Sequence, residues 1–229
     1  MEAGPQERSE LRAYGRRTFL GVTAVGLSSL VWGRPVWDAL SGATQPLKDV
    51  APGLFPGWRI YTVASTMPRF DPQTWRLRID GLVEQPVSLS YAQLRALPRA
   101  EQVSTFHCVT GWTVSNVRWA GVRFEDLLAA AVPRSGAEAL TFTSAEQPYT
   151  DSLTLSQARL KDAMLAYEMD GKPLSRAHGA PVRVVIPEMY GYKNVKWVER
   201  ITVTGAAETG YWEQRGYDVD AWVGRSNGF

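Results

Sequence analysis

The sequence predicts an α+β domain that is rich in strands and has only short helices. Short segments alternate between apolar and polar residues, as half-buried strands do. The helical segments between them are brief and end at prolines, and no regular strand–helix rhythm or internal repeat runs through the chain. An apolar fraction of 45% over 229 residues is ordinary for a globular protein with a buried core. A net charge of +2 supplies no basic footprint for DNA or RNA, so we expect no nucleic-acid partner.

The first predicted elements are a strand and a short helix. Trp75 to Asp80 alternates between apolar and polar residues and is predicted as a strand that Gly81 ends. Ser90 and Gln93 have the spacing of a capping box, in which each side chain accepts a hydrogen bond from the backbone N–H of the other residue. They predict a short helix that Pro98 ends.

The rest of the chain continues this mixture. The apolar segment from Met164 to Met169 is followed by Asp170-Gly171, a pair typical of hairpin turns. The other predicted elements are an extended segment from Val103 to Phe106, a short amphipathic helix from Phe124 to Val132, and strands at 139–143, 181–186 and 195–204.

The N-terminus has the features of an export signal. Arg16 and Arg17 precede an apolar run from Phe19 to Trp32, which is shorter than the roughly 20 residues of a membrane span. The paired arginines followed by Phe-Leu resemble a twin-arginine signal, so we expect export to the periplasm or another extracytoplasmic space. Cleavage near Ser41-Gly42-Ala43 and retention as a membrane anchor both stay open. The expected organisation is a signal or anchor over 1–43, a linker over 44–57 and one domain over 58–229.

Cys108 is the single cysteine of the chain, so it cannot form an internal disulfide. It follows the extended segment that ends at Phe106, and Gly111 provides a turn directly after it. A thiolate at the end of a strand can face a cleft, where it suits a transition metal. The alternative is a buried structural cysteine.

Arg183 interrupts an otherwise apolar strand. A buried arginine is costly unless an anion accompanies it, and Lys193 and Lys196 follow within a glycine-containing turn. These cations could together hold a phosphate by charge-assisted hydrogen bonds. The alternative is an arginine that reaches solvent at the edge of a sheet. GxGxxG, Walker, CxxC and HExxH patterns are absent from the sequence, so it gives no support to nucleotide-binding or zinc-protease functions.

Three motifs in this order resemble the molybdopterin-binding domain of the sulfite oxidase family. They are the Cys-x-x-Gly-Trp segment that starts at Cys108, the His-Gly-x-Pro-Val-Arg strand that ends at Arg183, and the Tyr-Gly-x-Lys-x-Val-Lys-Trp turn that starts at Tyr190. The late segment from Tyr211 to Tyr217 is also similar. The resemblance covers residues 58–229 and is greatest to the catalytic subunits of periplasmic protein-methionine-sulfoxide reductases and their uncharacterised bacterial relatives.

The resemblance implies a sulfite oxidase-type fold, a Mo-molybdopterin cofactor and a set of residues that hold it. One pyranopterin dithiolene and the Cys108 thiolate would bind the molybdenum. Tyr211 would be the catalytic tyrosine of the pocket, although a packing role is equally consistent with its position. His178 agrees with the sulfite oxidase type, with a structural turn histidine as the alternative. The implied cofactor contacts are Cys108, Thr143, His178, Arg183, Asn194, Val195 and Lys196.

The chain departs from the family pattern where sulfite oxidases carry an Arg-Asn-His triplet. The matching stretch, Val63 to Pro68, supplies no cation. We therefore expect oxygen-atom transfer with a neutral S-oxide or N-oxide, small or protein-bound, and a neutral pocket lining from Ala64 to Met67. A sulfite dehydrogenase and a metal-free exported binding module are the alternatives. Electrons would be exchanged with a separate partner such as a membrane haem protein.

Overall fold

The computed structural model describes residues 57–225, which form two five-stranded sheets connected by short helices and turns. The predicted strand-rich α+β class is confirmed. The strands are β1 (Arg76–Gly81), β2 (Val87–Ser90), β3 (Ala100–His107), β4 (Thr113–Arg123), β5 (Ala139–Ser144), β6 (Thr150–Thr154), β7 (Met164–Met169), β8 (Lys172–Pro173), β9 (Arg183–Val185) and β10 (Val198–Thr204). The helices are α1 (Tyr91–Arg95), α2 (Phe124–Ala131) and α3 (Leu155–Ala158).

The first sheet has the strand order β2-β1-β10-β5-β6. Strands β1 and β10 run parallel, whereas the other neighbours are antiparallel, so this sheet is mixed. Leu77 and Ile79 of β1 are buried, whereas Arg76 and Arg78, which alternate with them, are exposed. This alternation is the one that the sequence predicts for a strand with one face on the core.

The second sheet has the order β3-β4-β7, with β8 and β9 both pairing along β7. Its longest strand, β4, was not among the predicted elements. At the end of β3, His107 forms an isolated parallel bridge with Tyr190. This bridge brings the residue that precedes Cys108 beside the turn that carries the predicted cations.

The short helices begin where their caps predict. The side chain of Ser90 accepts from the backbone of Gln93, and the side chain of Gln93 accepts from the backbone of Ser90, at the start of α1. Thr154 and Gln157 form a second capping box at α3, which was not predicted. Helix α2 packs on the core through four buried side chains, Phe124, Leu127, Leu128 and Ala131.

Two predicted strands are shorter in the structure. Residues 181–186 pair with β7 only from Arg183 to Val185. The strand predicted over 195–204 begins at Val198, because 191–197 form a 3₁₀ turn and a connecting loop rather than a ladder. Both differences concern the segments that surround the candidate site.

The signal or anchor predicted at 1–43 and the linker predicted at 44–57 lie outside the described residues, except for Gly57. Within residues 57–225, no helix is long and apolar enough to cross a membrane.

Candidate functional site

A cavity of about 330 Å³ lies where several strand ends and turns meet. Its wall is formed by the end of β3, the end of β5, β9 and two 3₁₀ turns, Arg176–His178 and Gly191–Lys193. The segment that precedes β1 covers another side. The volume is within the range of roughly 300–1,000 Å³ that small-molecule sites occupy.

Cys108 lies on the cavity wall directly after β3. Its backbone N–H donates to the carbonyl of Trp112 over 2.9 Å, and the N–H of Gly111 donates to the carbonyl of Cys108 over 3.0 Å. Gly111 adopts φ +88°, the left-handed region that glycine enters without strain. The thiol is 3.2 Å from the hydroxyl of Thr110. This tight turn presents the thiol to the cavity.

Arg183 is buried on β9, with only 3% of its surface exposed. Its guanidinium donates to the carbonyls of Val184, His178 and Asn194 over 3.2–3.4 Å. It also lies 5.4 Å and 5.2 Å from the ring centres of Phe106 and Trp119. In the part of the chain that the structure describes, Arg183 has no ion-pair partner. The alternative of a surface arginine is therefore wrong.

Lys196 and His178 complete a cationic cluster on the same wall. The ammonium of Lys196 donates to the carbonyl of Tyr61 over 2.6 Å and lies 4.1 Å from the ring centre of Trp197. The Nδ1 atom of His178 is 2.8 Å from the hydroxyl of Ser175, whereas its buried Nε2 atom has no partner among the described residues.

Burial lowers the pKa of all three basic groups, and nearby positive charge adds to the shift of two of them. Burial and the nearby charges of Arg183 and Lys196 lower the pKa of His178 to about 4. Burial and the charge of Arg183 lower the pKa of Lys196 to about 8, although Glu146 partly opposes this. Burial lowers the pKa of Arg183 itself to about 10. An anion in the cavity would oppose these shifts, because it favours the charged forms.

The structure brings five of the predicted site residues to one cavity: Cys108, His178, Arg183, Asn194 and Lys196. The amide group of Asn194 is used within the fold. Its Oδ1 accepts from Ile186 N–H over 2.8 Å, and its Nδ2 donates to the Tyr190 carbonyl over 3.3 Å. Asn194 therefore holds the turn that carries Lys196.

Three predicted residues do not line the cavity. Thr143 is replaced on the wall by its neighbour Ser144, because side chains alternate along β5. Val195 has its side chain in the core, and its carbonyl accepts from Val184 N–H. Tyr211 stacks on Tyr149 with ring centres 5.5 Å apart and lies one layer behind the wall. Its contacts support the packing role.

The expectation that Lys193 binds an anion in the site is wrong. Its ammonium is buried between Asp151, at 2.8 Å, and Glu213. Burial alone would lower the pKa of Lys193, but the two carboxylates outweigh it and raise the pKa. Lys193 therefore joins β6, the 191–193 turn and the C-terminal segment instead of serving the cavity.

The expectation that Ala64 to Met67 line the cavity is also wrong. The wall is formed by residues 58–63, which lie just upstream and include Arg59. The side chains of 64–67 are not part of it. The family triplet was matched to Val63 to Pro68, a few residues after those that form the wall. No periodic pattern in the sequence marks where this irregular segment meets the cavity.

Sequence reasoning missed several residues of the wall. Trp58 lies 4.8 Å from Phe106 and 5.0 Å from His178, measured between ring centres. The hydroxyl of Tyr149 donates to the carbonyl of Tyr192 over 2.7 Å, and burial raises the pKa of Tyr149 well above its usual value. Glu146 is buried in the loop after β5. In the sequence, the single signal for this loop is an acidic residue followed by Gln-Pro.

The sequence profile of the family described as "oxidoreductase molybdopterin binding domain" matches residues 64–212. The chain belongs to this family. The cofactor of the family is therefore a molybdopterin, and the predicted enzyme class is confirmed. The match includes every predicted site residue and ends inside the late aromatic segment, at Trp212.

Three relatives with related sequences show how much of each protein this chain matches. An uncharacterised oxidoreductase of Bacillus subtilis, YuiH, is 36% identical over 159 residues, which are 68% of this chain and 80% of that protein. The protein-methionine-sulfoxide reductase catalytic subunit MsrP of Campylobacter jejuni is 30% identical, over 63% of this chain and 54% of that protein. Human mitochondrial sulfite oxidase is 35% identical, over 66% of this chain and 33% of that protein. The chain thus spans about half or less of the last two relatives.

The fold agrees with these matches. The crystal structure of the sulfane dehydrogenase SoxCD from Paracoccus pantotrophus superposes with a TM-score of 0.59 at 27% identity. The superposition covers 63% of this chain and 41% of that chain. The sulfite oxidase-type fold is therefore confirmed.

The cavity fits a molybdopterin on the chemistry of its wall. The cofactor carries an anionic phosphate, and the wall offers Arg183 and Lys196, neither of which forms an ion pair in the described region. Two buried ring nitrogens, Nε2 of His178 and Nε1 of Trp112, have no partner among the described residues. Buried polar groups are rarely left unpaired in folded proteins. A polar, anionic ligand would satisfy all four groups.

Proposed function

We propose that this protein reduces a neutral S-oxide or N-oxide, such as free or protein-bound methionine sulfoxide, by oxygen-atom transfer. The observation that carries the proposal is one cavity that holds both the single thiol and a cationic cluster that forms no ion pair among the described residues. When bound, the molybdenum cofactor supplies the metal centre at which an oxygen atom and two electrons are exchanged. The sulfoxide takes up two electrons and two protons and leaves as sulfide and water.

The residues of the chain have distinct roles in this proposal. Cys108 provides the protein thiolate that ligates the metal, because soft thiolates suit transition metals. Arg183 and Lys196 neutralise the phosphate by charge-assisted hydrogen bonds. The neutral His178 donates from Nε2, since the hydroxyl of Ser175 can donate to Nδ1. Thr143, Asn194 and Val195 would contribute through the backbone and turn geometry that position these groups.

The substrate is positioned by the aromatic part of the wall. Trp58, Phe106 and Trp112 lie with ring centres 4.8–6.1 Å apart. These rings exclude water and pack against the apolar body of an oxide substrate. The name of the Campylobacter jejuni relative supports a methionine sulfoxide substrate.

We infer that the electrons come from a separate protein, such as a membrane haem protein. The relative named as a catalytic subunit supports this division of labour. We also propose export through the twin-arginine route, with a signal or anchor at 1–43 and a linker at 44–57. Arg16 and Arg17 carry that proposal. Replacing both with Lys should leave the protein in the cytoplasm, whereas unchanged export would refute it.

A second candidate is the oxidation of sulfite to sulfate, which consumes water and releases two electrons and two protons. Arg59 favours it, because this basic residue lines the cavity. A small anion such as sulfite needs a positive partner when it leaves water. The similarity to a protein named sulfite oxidase points the same way.

The deciding experiment compares specificity constants on one metal-replete preparation. Sulfoxide reduction is measured with a reduced viologen dye, and sulfite oxidation with ferricyanide. We expect a higher kcat/KM for methionine sulfoxide. A wide margin for sulfite, lost in Arg59→Gln but kept in the exposed control Arg69→Gln, would establish the second candidate and refute the first. Protein that binds no molybdenum would instead support the metal-free binding module.

A further inference from the structure

Residues 58–64, which we call the N-terminal strap, cross one side of the cavity in an irregular conformation. Six of its residues, 58–63, belong to the wall. Within the described residues the strap pairs with no strand of either sheet. Its attachment therefore depends on individual side-chain contacts rather than on a backbone ladder.

Glu146 provides the main polar attachment of the strap. One carboxylate oxygen accepts from the backbone N–H of Val63 over 2.8 Å and of Ala64 over 3.3 Å. The residue is only 4% exposed. Hydrogen bonds from N–H groups to a buried carboxylate are stronger than neutral ones. Loss of this carboxylate would leave both strap N–H groups without these bonds.

A second set of contacts connects the strap to the cationic cluster. The ammonium of Lys196 donates to the carbonyl of Tyr61 over 2.6 Å. The hydroxyl of Ser144 donates to the carbonyl of Lys196 over 2.8 Å and accepts from Glu146 N–H over 2.9 Å. Lys196 has three N–H donors, so it can hold Tyr61 and an anion together. The group that meets the anion is thus also one that holds the strap.

We propose that the strap closes over the bound cofactor and that Glu146 is the positioning residue that latches it. This inference rests on the proposed cofactor site. Because Lys196 touches both sides, cofactor binding and strap closure stabilise each other, and this coupling is reciprocal. Trp58, which packs on Phe106 and His178, closes with the strap.

The test uses the full chain with and without cofactor. Opening of the strap is measured as tryptic cleavage after Arg59, identified by mass spectrometry. Cofactor release is measured as pterin fluorescence in the filtrate. We expect Glu146→Ala to release the cofactor about tenfold faster than the wild type. A tenfold change corresponds to about 1.4 kcal/mol of lost hydrogen bonding. Cleavage after Arg59 should accelerate in parallel, while the melting temperature stays near that of the wild type.

Matched variants separate the latch from general destabilisation. Glu146→Gln keeps an acceptor oxygen and should largely restore slow release, and Glu84→Ala removes an exposed glutamate and should change nothing. If Glu146→Ala fails to fold, Ala64→Pro removes one strap N–H donor and leaves Glu146 intact. Wild-type rates of both release and cleavage in Glu146→Ala, or in Ala64→Pro if Glu146→Ala does not fold, would overturn the latch. If the wild-type protein binds no cofactor, the proposed site is refuted. The latch is then still tested by comparing tryptic cleavage after Arg59 in wild-type and Glu146→Ala apoprotein.

Discussion

At the scale of single residues, the site is interpreted from the buried Arg183 and the half-buried Lys196, neither of which forms an ion pair with a described carboxylate. Buried charges in proteins are normally paired or bind ligands. Arg183 and Lys196 rely on carbonyl groups and aromatic rings instead, and they lower the pKa of His178 beside them. The sequence predicted this cluster because an arginine inside an apolar strand is rare. The sequence could not show that Lys193 forms ion pairs with Asp151 and Glu213, since those partners are distant in sequence.

The pKa of His178 provides the first prediction. The chain has two histidines, so ring-proton NMR of the apoprotein resolves both. One should titrate near pH 4, and Arg183→Met should move that pKa towards its ordinary value by removing a neighbouring charge. Below about pH 6.5 the unfolded chain takes up a proton that folded His178 resists, so folded apoprotein loses stability as pH falls from about 6.5 to 4. A His178 pKa near 6.5 in the wild-type apoprotein would contradict this.

At the scale of elements, prediction succeeded where one physical signal dominated. Strand β1 alternates cleanly, and α1 has its capping box, so both were predicted. Strand β4 was missed because its pairing with β7 shifts register between Ala120 and Gly121, and buried residues follow one another there. Such a run has no period of two. The strap was missed because irregular segments carry no periodic pattern at all.

The turn at Gly179 gives the second prediction. Gly179 has φ +103°, and a Cβ atom there would lie 2.9 Å from the Cβ of Lys196. Gly179→Ala should therefore cost roughly 1–3 kcal/mol of unfolding free energy through backbone strain and should also displace Lys196 and lower pterin content. Gly136→Ala is the control, since Gly136 has φ +85° and open space around it. Equal pterin content in the two variants would refute a role for this turn in the site.

At the scale of the whole molecule, the site is assembled from segments that are far apart in sequence. The triad of Lys193, Asp151 and Glu213 fixes the C-terminal segment that carries Trp212 and Tyr217 to the cavity wall. Burial raises the pKa of Asp151 to about 7 against the opposing charge of Lys193. The order of the motifs predicted the fold, but such long-range pairing could not be derived from local patterns.

The triad gives the third prediction. Lys193→Met keeps the length of the side chain but leaves two carboxylates buried without a cation. It should lower the free energy of unfolding by about 3–5 kcal/mol. Urea unfolding of the apoprotein measures this, with Lys172→Met, on an exposed strand, as the control. Equal stability of the two variants would show that the triad contributes little.

We propose that this cavity binds a molybdopterin cofactor and that Cys108 is the protein ligand to its metal. The most direct test is the molybdenum and pterin content of protein made in a host that loads a known relative. Wild-type protein should contain equimolar molybdenum and pterin. Cys108→Ser should lose activity with its melting temperature unchanged, and Arg183→Ala should lose the pterin as well. Wild-type protein that lacks both molybdenum and pterin would refute the cofactor site, and a fully active Cys108→Ser variant would refute Cys108 as the metal ligand.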